Sequence, residues 1–418
     1  MVETKSGFDA GKLVPARDDF CRLDFLPIAS TDLAFEMGAD QAPNDQARDI
    51  RNALVVELLM TAWRDPSRWV AYARDRNCYS VQRRYSGRLS SFKFMMWAVD
   101  SLVAARLVEN QKTRPGPKRR YKSRLRATPR MLERATITQI HDLRRFVFET
   151  IRLKDQSKKL RKYVDNSTTN SWRSDAIEQN EALRGLHLSL ADGSWVPDPH
   201  GFVRRGDRVL NLASDQTYRV FNLDWRHGGR WYGGWWQSIG SRERSLILID
   251  GEPTIEIDYP HLHPTLLAAV FGVAQGSKDA YDVDGVPRDY AKMAFNVMLN
   301  ADSEEAAVSS LQQALHACHP RAEERPRQRA VRYVEAVKAR HPKFAPAWGT
   351  GMGRRLQFVD GQMCAQVQRR MRMCGSGVLS VHDSFVAPEG KKPLLEAVMA
   401  DVLEHAKRQL YLDNEGWM

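Results

Sequence analysis

Gly377-Val378-Leu379-Ser380-Val381-His382-Asp383-Ser384-Phe385-Val386 reads as a β-hairpin: two short apolar runs with His382-Asp383 at the tip. Its counterpart lies 125 residues upstream of Asp383. Thr254-Ile255-Glu256-Ile257-Asp258-Tyr259 is a β pattern ending on a carboxylate, followed by His261, Leu262, His263 and a helical run from Pro264 to Phe271. Between them, Arg288-Asp289-Tyr290-Ala291-Lys292 opens a helix that continues through Asn300. Arg288 and Lys292 are four apart and share one helix face.

These residue types suit phosphate chemistry. If the fold brings Asp258 and Asp383 together at the ends of neighbouring strands, their hard oxygens can hold Mg²⁺ or Mn²⁺. Two such ions about 4 Å apart activate a 3′-hydroxyl and stabilise a leaving pyrophosphate. Two cations on a facing helix offset the charge of a triphosphate.

The ordered trio resembles the palm and fingers of A-family DNA polymerases and of single-subunit phage-type RNA polymerases. Ile257-Asp258-Tyr259 resembles the start of their first motif, Arg288…Lys292 their Arg-x-x-x-Lys motif, and Val381-His382-Asp383-Ser384 their His-Asp hairpin. The resemblance covers roughly 215–410. It implies that Asp258 and Asp383 are the catalytic, metal-binding carboxylates. It implies that Lys292 acts in catalysis and, with Arg288, binds the incoming triphosphate, with Tyr259 and His263 also at the nucleotide. His382 would support the site or the primer terminus. Two departures bear on sugar choice: His263 stands where the DNA polymerases carry a Glu, and Asn300-Ala301 stands where they carry Tyr-Gly.

The N-terminal half reads differently. Ile50, Leu54, Leu58 and Ala62 form one helical stripe, ended by Asp65-Pro66. A short helix is expected at Trp69–Arg74, and a third helix after Ser90-Ser91 with Phe92, Met95, Val99 and Leu102 on one face. Strands at Leu107–Gln111 and Tyr121–Ala127 flank a turn. This order over 45–130 resembles the winged helix-turn-helix domains of plasmid and phage replication or regulatory proteins. Lys112, Arg114, Lys118, Arg119, Arg120, Lys122, Arg124 and Arg126 crowd the ribbon without an acid between them, as a phosphate-binding wing would. A solvated basic loop is the plainer alternative.

Residues 1–44 read as an extended arm. Residues 131–214 read as a mostly helical linker or thumb-like region, with Lys154, Lys158, Lys159, Arg161 and Lys162 on a solvated helix face. The palm and fingers would span 215–418. At its start, Trp225, Trp231, Trp235 and Trp236 lie among glycines. They suit either base stacking or a buried core patch. Arg226, Arg230, Arg242 and Arg244 could grip template or primer phosphates. Gly349, Gly351 and Gly353 mark a turn before a helix, on which Gln357 could approach bases.

The expected fold class is therefore α+β and helix-rich: a winged helix-turn-helix followed by a compact palm, fingers and thumb with a small antiparallel sheet. The 418 residues carry 63 Lys and Arg against 51 Asp and Glu, a net charge of +12, which points to an anionic partner. Five scattered cysteines exclude a disulfide framework and fit a reducing cytoplasm. No apolar run is long enough to span a bilayer, so no membrane partner is expected. The expected function is a template-directed nucleotidyltransferase, a minimal DNA or RNA polymerase or primase-like enzyme of a plasmid, phage or mobile element. Its partners would be duplex DNA at the winged helix, a primer-template or single strand at the palm, nucleoside triphosphates, and RNA in one variant. The alternative is a DNA-binding replication initiator or regulator with an inactive polymerase-like domain. A phosphohydrolase using His261, His263, His382 and Asp383 fits less well, because such enzymes hold His-Asp on a helix, and here it lies between strand patterns. A zinc site at His316, Cys318 and His319 lacks a spaced partner pair.

Overall fold

The computed structural model describes residues 20–22, 42–80, 83–113, 122–136, 147–191, 193–274, 279–318, 324–413 and 417. The fold is α+β and helix-rich. The chain forms two compact units, 1–148 with 196–213 and 149–195 with 214–418. The stretch 131–214 is thus divided between both units.

In the first unit, helix α1 (Asp45–Arg64) starts at Asn44, whose side chain accepts from the Ala47 N–H at 2.9 Å. Its expected stripe of Ile50, Leu54 and Leu58 is buried. The chain then forms a strand, β2 (Trp69–Tyr72), where the local pattern predicts a short helix. The reason is tertiary. Val70, Ala71 and Tyr72 are buried, and β-branched and aromatic residues gain more across a ladder than in one helical turn. Short helices at Asn77–Ser80 and Arg83–Ser86 lead to α2 (Phe92–Ala104), capped by Ser91. Strands β3 (Val108–Gln111) and β4 (Ser123–Ala127) pair antiparallel, and β4 also pairs antiparallel with β2. With β1 (Phe20–Arg22) parallel to β2, the sheet order is β1-β2-β4-β3. Val196–Pro197, Val203–Arg205 and Arg208–Leu210 add a three-stranded meander, from which Phe202 joins this core.

The second unit begins with β5 (Ile151–Lys154). The basic residues 154–162 therefore sit on a strand end and the turn after it, not on a helix. Asn166 caps α3 (Ser167–Arg184) with a reciprocal capping box through Thr169. Strand β7 (Tyr218–Asn222) pairs with β5 and with β8 (Gly228–Tyr232). A five-stranded antiparallel sheet follows, built from β6 (Leu188–Leu190), β9 (Ile247–Ile249), β10 (Glu252–Asp258), β11 (Leu379–Val381) and β12 (Ser384–Pro388) in the order β11-β12-β10-β9-β6. Around it pack α4 (Leu262–Val270), α5 (Arg288–Asn300), α6 (Glu304–Cys318), α7 (Pro326–Arg340), α8 (Met352–Met373) and α9 (Lys392–Leu412). Helix α8 lies directly on β8: a Cβ at Gly361 would overlap the carbonyl oxygen of Gly229. Only glycine allows this approach. No helix among the described residues is long and apolar enough to cross a membrane.

Candidate active site

The hairpin forms as the sequence predicts. Its strands are β11 and β12, and His382-Asp383 is the two-residue turn between them. Strand β10 pairs with β12 so that Asp258 lies opposite Ser384, and the Tyr259 N–H donates to the carbonyl oxygen of Asp383 at 3.2 Å. Two carboxylates distant in sequence thus emerge at the same end of one sheet. His261 and His382, close in sequence to them, adopt left-handed backbone with φ of 55° and 59°. This conformation is uncommon outside glycine and persists where the surroundings impose it. Beneath the carboxylates, Glu256 on β10 receives two bonds from Arg244, at 2.9 and 2.7 Å, and one from the Ser384 hydroxyl at 2.7 Å. Arg244 also donates to the Ile239 carbonyl at 2.7 Å, so it clamps β10 to the preceding loop rather than standing as a free grip for phosphates.

The carboxylates line a cleft of about 370 Å³. Helix α5 supplies Arg288, Lys292, Asn296 and Asn300 to the same cleft, and α8 supplies Gln357. Among the described residues no side chain hydrogen-bonds to or ion-pairs with Asp258 or Asp383. Arg288, by contrast, is held by Asp279 at 2.6 Å, and His261 Nδ1 lies 3.4 Å from the same carboxylate. The Tyr281 ring lies under both cations, 5.7 Å from Arg288 and 5.9 Å from Lys292.

No cluster of three or more His, Cys, Asp or Glu at metal-ligating spacing occurs among the described residues. Two carboxylates lining one cleft nevertheless fit Mg²⁺, which favours one or two carboxylates together with substrate phosphates and waters over an all-protein cage.

Arg230 and His263 form the inner wall. Arg230 Nε donates to Asp360 at 2.5 Å, and its Nη2 lies 3.4 Å from His263 Nε2. Asp360 is 2 % exposed. Burial pushes its carboxyl up to about 6 against the pull of Arg230, with Asp383 adding to the rise. The pair is ionised at pH 7. His263 is pushed down to about 4 by burial and by Arg230, and His382 to about 4 for the same two reasons. Both imidazoles are neutral at pH 7, so neither adds a positive charge. Arg219, fully buried, donates through Nε to the Gly229 carbonyl at 2.9 Å and lies among Trp172, Phe221 and Trp231. It braces the strand that carries Arg230.

No family model, curated protein or solved structure matches this chain. The reading of the site therefore rests on its own geometry.

That geometry unites Asp258, Asp383, Arg288, Lys292, His263, Arg230 and Gln357 around one cleft. Three of the expected residues make other contacts. Tyr259 is among the cleft-lining residues, but its side chain is buried and its hydroxyl donates to the Met399 carbonyl at 2.9 Å. Its ring is thus part of the core. Arg230 faces inward to Asp360, because a buried carboxylate demands a cation. His382 is not among the lining residues and stacks edge-to-face on Tyr232.

Of the tryptophans, Trp231, Trp235 and Trp236 are buried, and the Trp236 Nε1–H donates to the Ser380 carbonyl at 3.0 Å. These three belong to the core, whereas Trp225 is half-buried. Arg226 is exposed and lines a separate cleft with Trp225 and Arg355.

In the basic ribbon, Arg114, Lys118, Arg119 and Arg120 lie outside the described residues. Lys112 and Lys122 are exposed. Arg124 and Arg126 stack on Trp69, 4.8 and 4.6 Å from its ring, and Arg126 pairs with Glu109 at 2.7 Å. Part of the ribbon's charge is therefore neutralised within the sheet, by an acid just outside the basic run.

Sequence reasoning misses Asp360, Asp279 and Asn296. Asp360 interrupts the apolar stripe of Leu356, Met363, Val367 and Met371, which is its available signal. Asn296 completes the spacing of four from Arg288. Asp279 carries no local signal.

Proposed function

We propose that the second unit is a divalent-metal-dependent nucleotidyltransferase that extends a nucleic-acid strand from nucleoside triphosphates. The observation that carries this reading is the meeting of two carboxylates, Asp258 and Asp383, unpartnered among the described residues, with Lys292 across one cleft. A bound Mg²⁺ would supply Lewis acidity to the attacking hydroxyl and the leaving phosphates. Asp258 and Asp383 would hold it. Lys292 offsets charge developing on the phosphates. Arg288 exchanges Asp279 for a phosphate oxygen when nucleotide arrives. Asp360 keeps Arg230 oriented beside Asp383, and Glu256 keeps the hairpin seated on β10.

The first unit is read as a winged helix-turn-helix DNA-binding module. What supports this is the succession α1, β2, short helices, α2, β3, β4, with β2 and β3 flanking β4. The antiparallel pair β3–β4 stands, in chain order, where a winged helix carries its wing strands. A second reading keeps DNA binding but no catalysis. It is favoured by Arg288 being already neutralised by Asp279.

Incorporation into a primed template, with Mg²⁺ or Mn²⁺ and either dNTPs or NTPs, separates the two. The expected outcome is incorporation that Asp383→Asn and Asp258→Asn each reduce by at least about 10²-fold. DNA binding with no nucleotide turnover would favour the second reading.

A further inference from the structure

Four residues at a spacing of four, Arg288, Lys292, Asn296 and Asn300, run along one face of α5 into the cleft. Four residues rise about 6 Å along a helix, so the stripe spans roughly 18 Å. Its character changes along the way. The N-terminal half is cationic and the C-terminal half is amide. The cleft therefore suits a ligand with an anionic tail and a hydrogen-bonding head.

The amide end is built in detail. Asn300 Nδ2 donates to the Asn296 carbonyl at 2.8 Å, which orients its side chain. Gln357 Nε2 donates to Asn300 Oδ1 at 3.4 Å from the neighbouring helix α8. Gly353, one turn earlier on α8, permits that approach, because a Cβ there would lie 2.5 Å from Asn300 Oδ1. Gln357 keeps its own carbonyl oxygen and one amide hydrogen for a ligand. Asn296 and His263 line the same cleft. Among the described residues no aromatic ring lines this end: the Tyr281 ring lies under the cations, and the Tyr259 ring is in the core.

We infer that Asn300 and Gln357 form a nucleobase subsite, which reads the edge of the incoming nucleotide's base by hydrogen bonds. With the phosphates at Lys292, the ribose falls one helical step on, beside Asn296 and His263, and the base a step further, at the amide pair. The Gln357 amide, its flip fixed by donation to Asn300 Oδ1, matches a base edge that offers one donor and one acceptor in that order, and it rejects edges of reversed pattern. The protein thus selects its nucleotide even without a template. This inference rests on the proposed nucleotide site.

The test is equilibrium binding of ATP, GTP, CTP and UTP, with Mg²⁺, to the full chain without nucleic acid. One base is expected to bind at least ten-fold tighter than the weakest. Gln357→Leu is expected to bring all four within about three-fold. Gln357→Glu, which replaces the amide donor with an acceptor, is expected to change the ranking and gives a second reading should the Leu variant fail to fold. Equal binding of the four by wild type overturns the inference. So does a ranking unchanged in both variants. Selectivity that appears only with a template and follows its sequence also overturns it. Lys292→Ala separates the two levels, since it should weaken all four alike. If no triphosphate binds wild type, the nucleotide site itself fails and the subsite falls with it.

Discussion

Both units carry charged residues at strand positions that the sequence marks for a ligand, yet they treat them in opposite ways. On β4, Arg124 and Arg126 lie on Trp69, and Arg126 is paired to Glu109. At the end of β10 and in the β11–β12 turn, Asp258 and Asp383 have no side-chain partner among the described residues. The acids flank a cleft, and the arginines cover an aromatic ring. The difference teaches that charge in a sequence does not say whether its bearer is paired in the fold; that is decided by neighbours across space. Arg230 makes the same point within the second unit. Its sequence context suggests a grip on a nucleic-acid strand, but Asp360 already neutralises it.

The largest effect should come from the buried pair. Asp360→Asn removes the hydrogen-bonded counter-charge of the mostly buried Arg230 and leaves it only the charge of Asp383, and a loss of about 3–5 kcal/mol in stability is expected. Urea unfolding followed by the fluorescence of Trp231 and Trp236 measures it. A loss under about 1 kcal/mol would mean that Arg230 has another partner, and the contrast between the two regions would weaken.

Next in size is a pH effect at His263. Its pKa lies near 4 in the folded chain, below its ordinary value of 6.5. Between these values the unfolded chain binds a proton that the folded chain does not. The contribution of His263 to stability is therefore complete above about pH 6.5 and is lost as pH falls toward 4. Asp360, raised from 3.8 to about 6, acts in the opposite direction between those two values. The clean measurement is thus His263→Asn against wild type, with Asp360 present in both. The variant should lose less stability between pH 6.5 and 4. Parallel curves would show that His263 titrates normally.

The smallest effect is expected on the first unit's sheet. A double-mutant cycle on Arg126→Gln and Glu109→Gln should give a coupling below about 1 kcal/mol, because both side chains are partly exposed. A coupling of several kcal/mol would put this pair in the same class as Arg230–Asp360 and erase the comparison.

Much of the second unit is legible in its residue order. The hairpin at His382-Asp383, the strand ending at Asp258 and the helix opening at Arg288 all rest on patterns within about ten residues. Local periodicity reports such elements well. Other features are not legible. The strand at Trp69–Tyr72 reads as a helix because its ladder partner β4 lies more than fifty residues away. The inward turn of Arg230 depends on Asp360, 130 residues downstream. The Tyr259 ring looks available in sequence, but its hydroxyl meets the Met399 carbonyl, 140 residues on. In each case the deciding partner lies far along the chain.

The contribution of sequence and that of the folded chain can now be separated. Residue order alone marks the hairpin at His382-Asp383, the strand ending at Asp258 and the helix face of Arg288 and Lys292, because strand and helix periods are short-range; grouping them as one set rests on the resemblance of their order to polymerase motifs. Which charges stay free, which face a ring and which are sealed beside a counter-ion depends on contacts across space. Electrostatic and burial energies follow distance in three dimensions, so they are settled where β10 meets β12, where α5 faces that sheet end, and where Gly361 lets α8 settle onto β8.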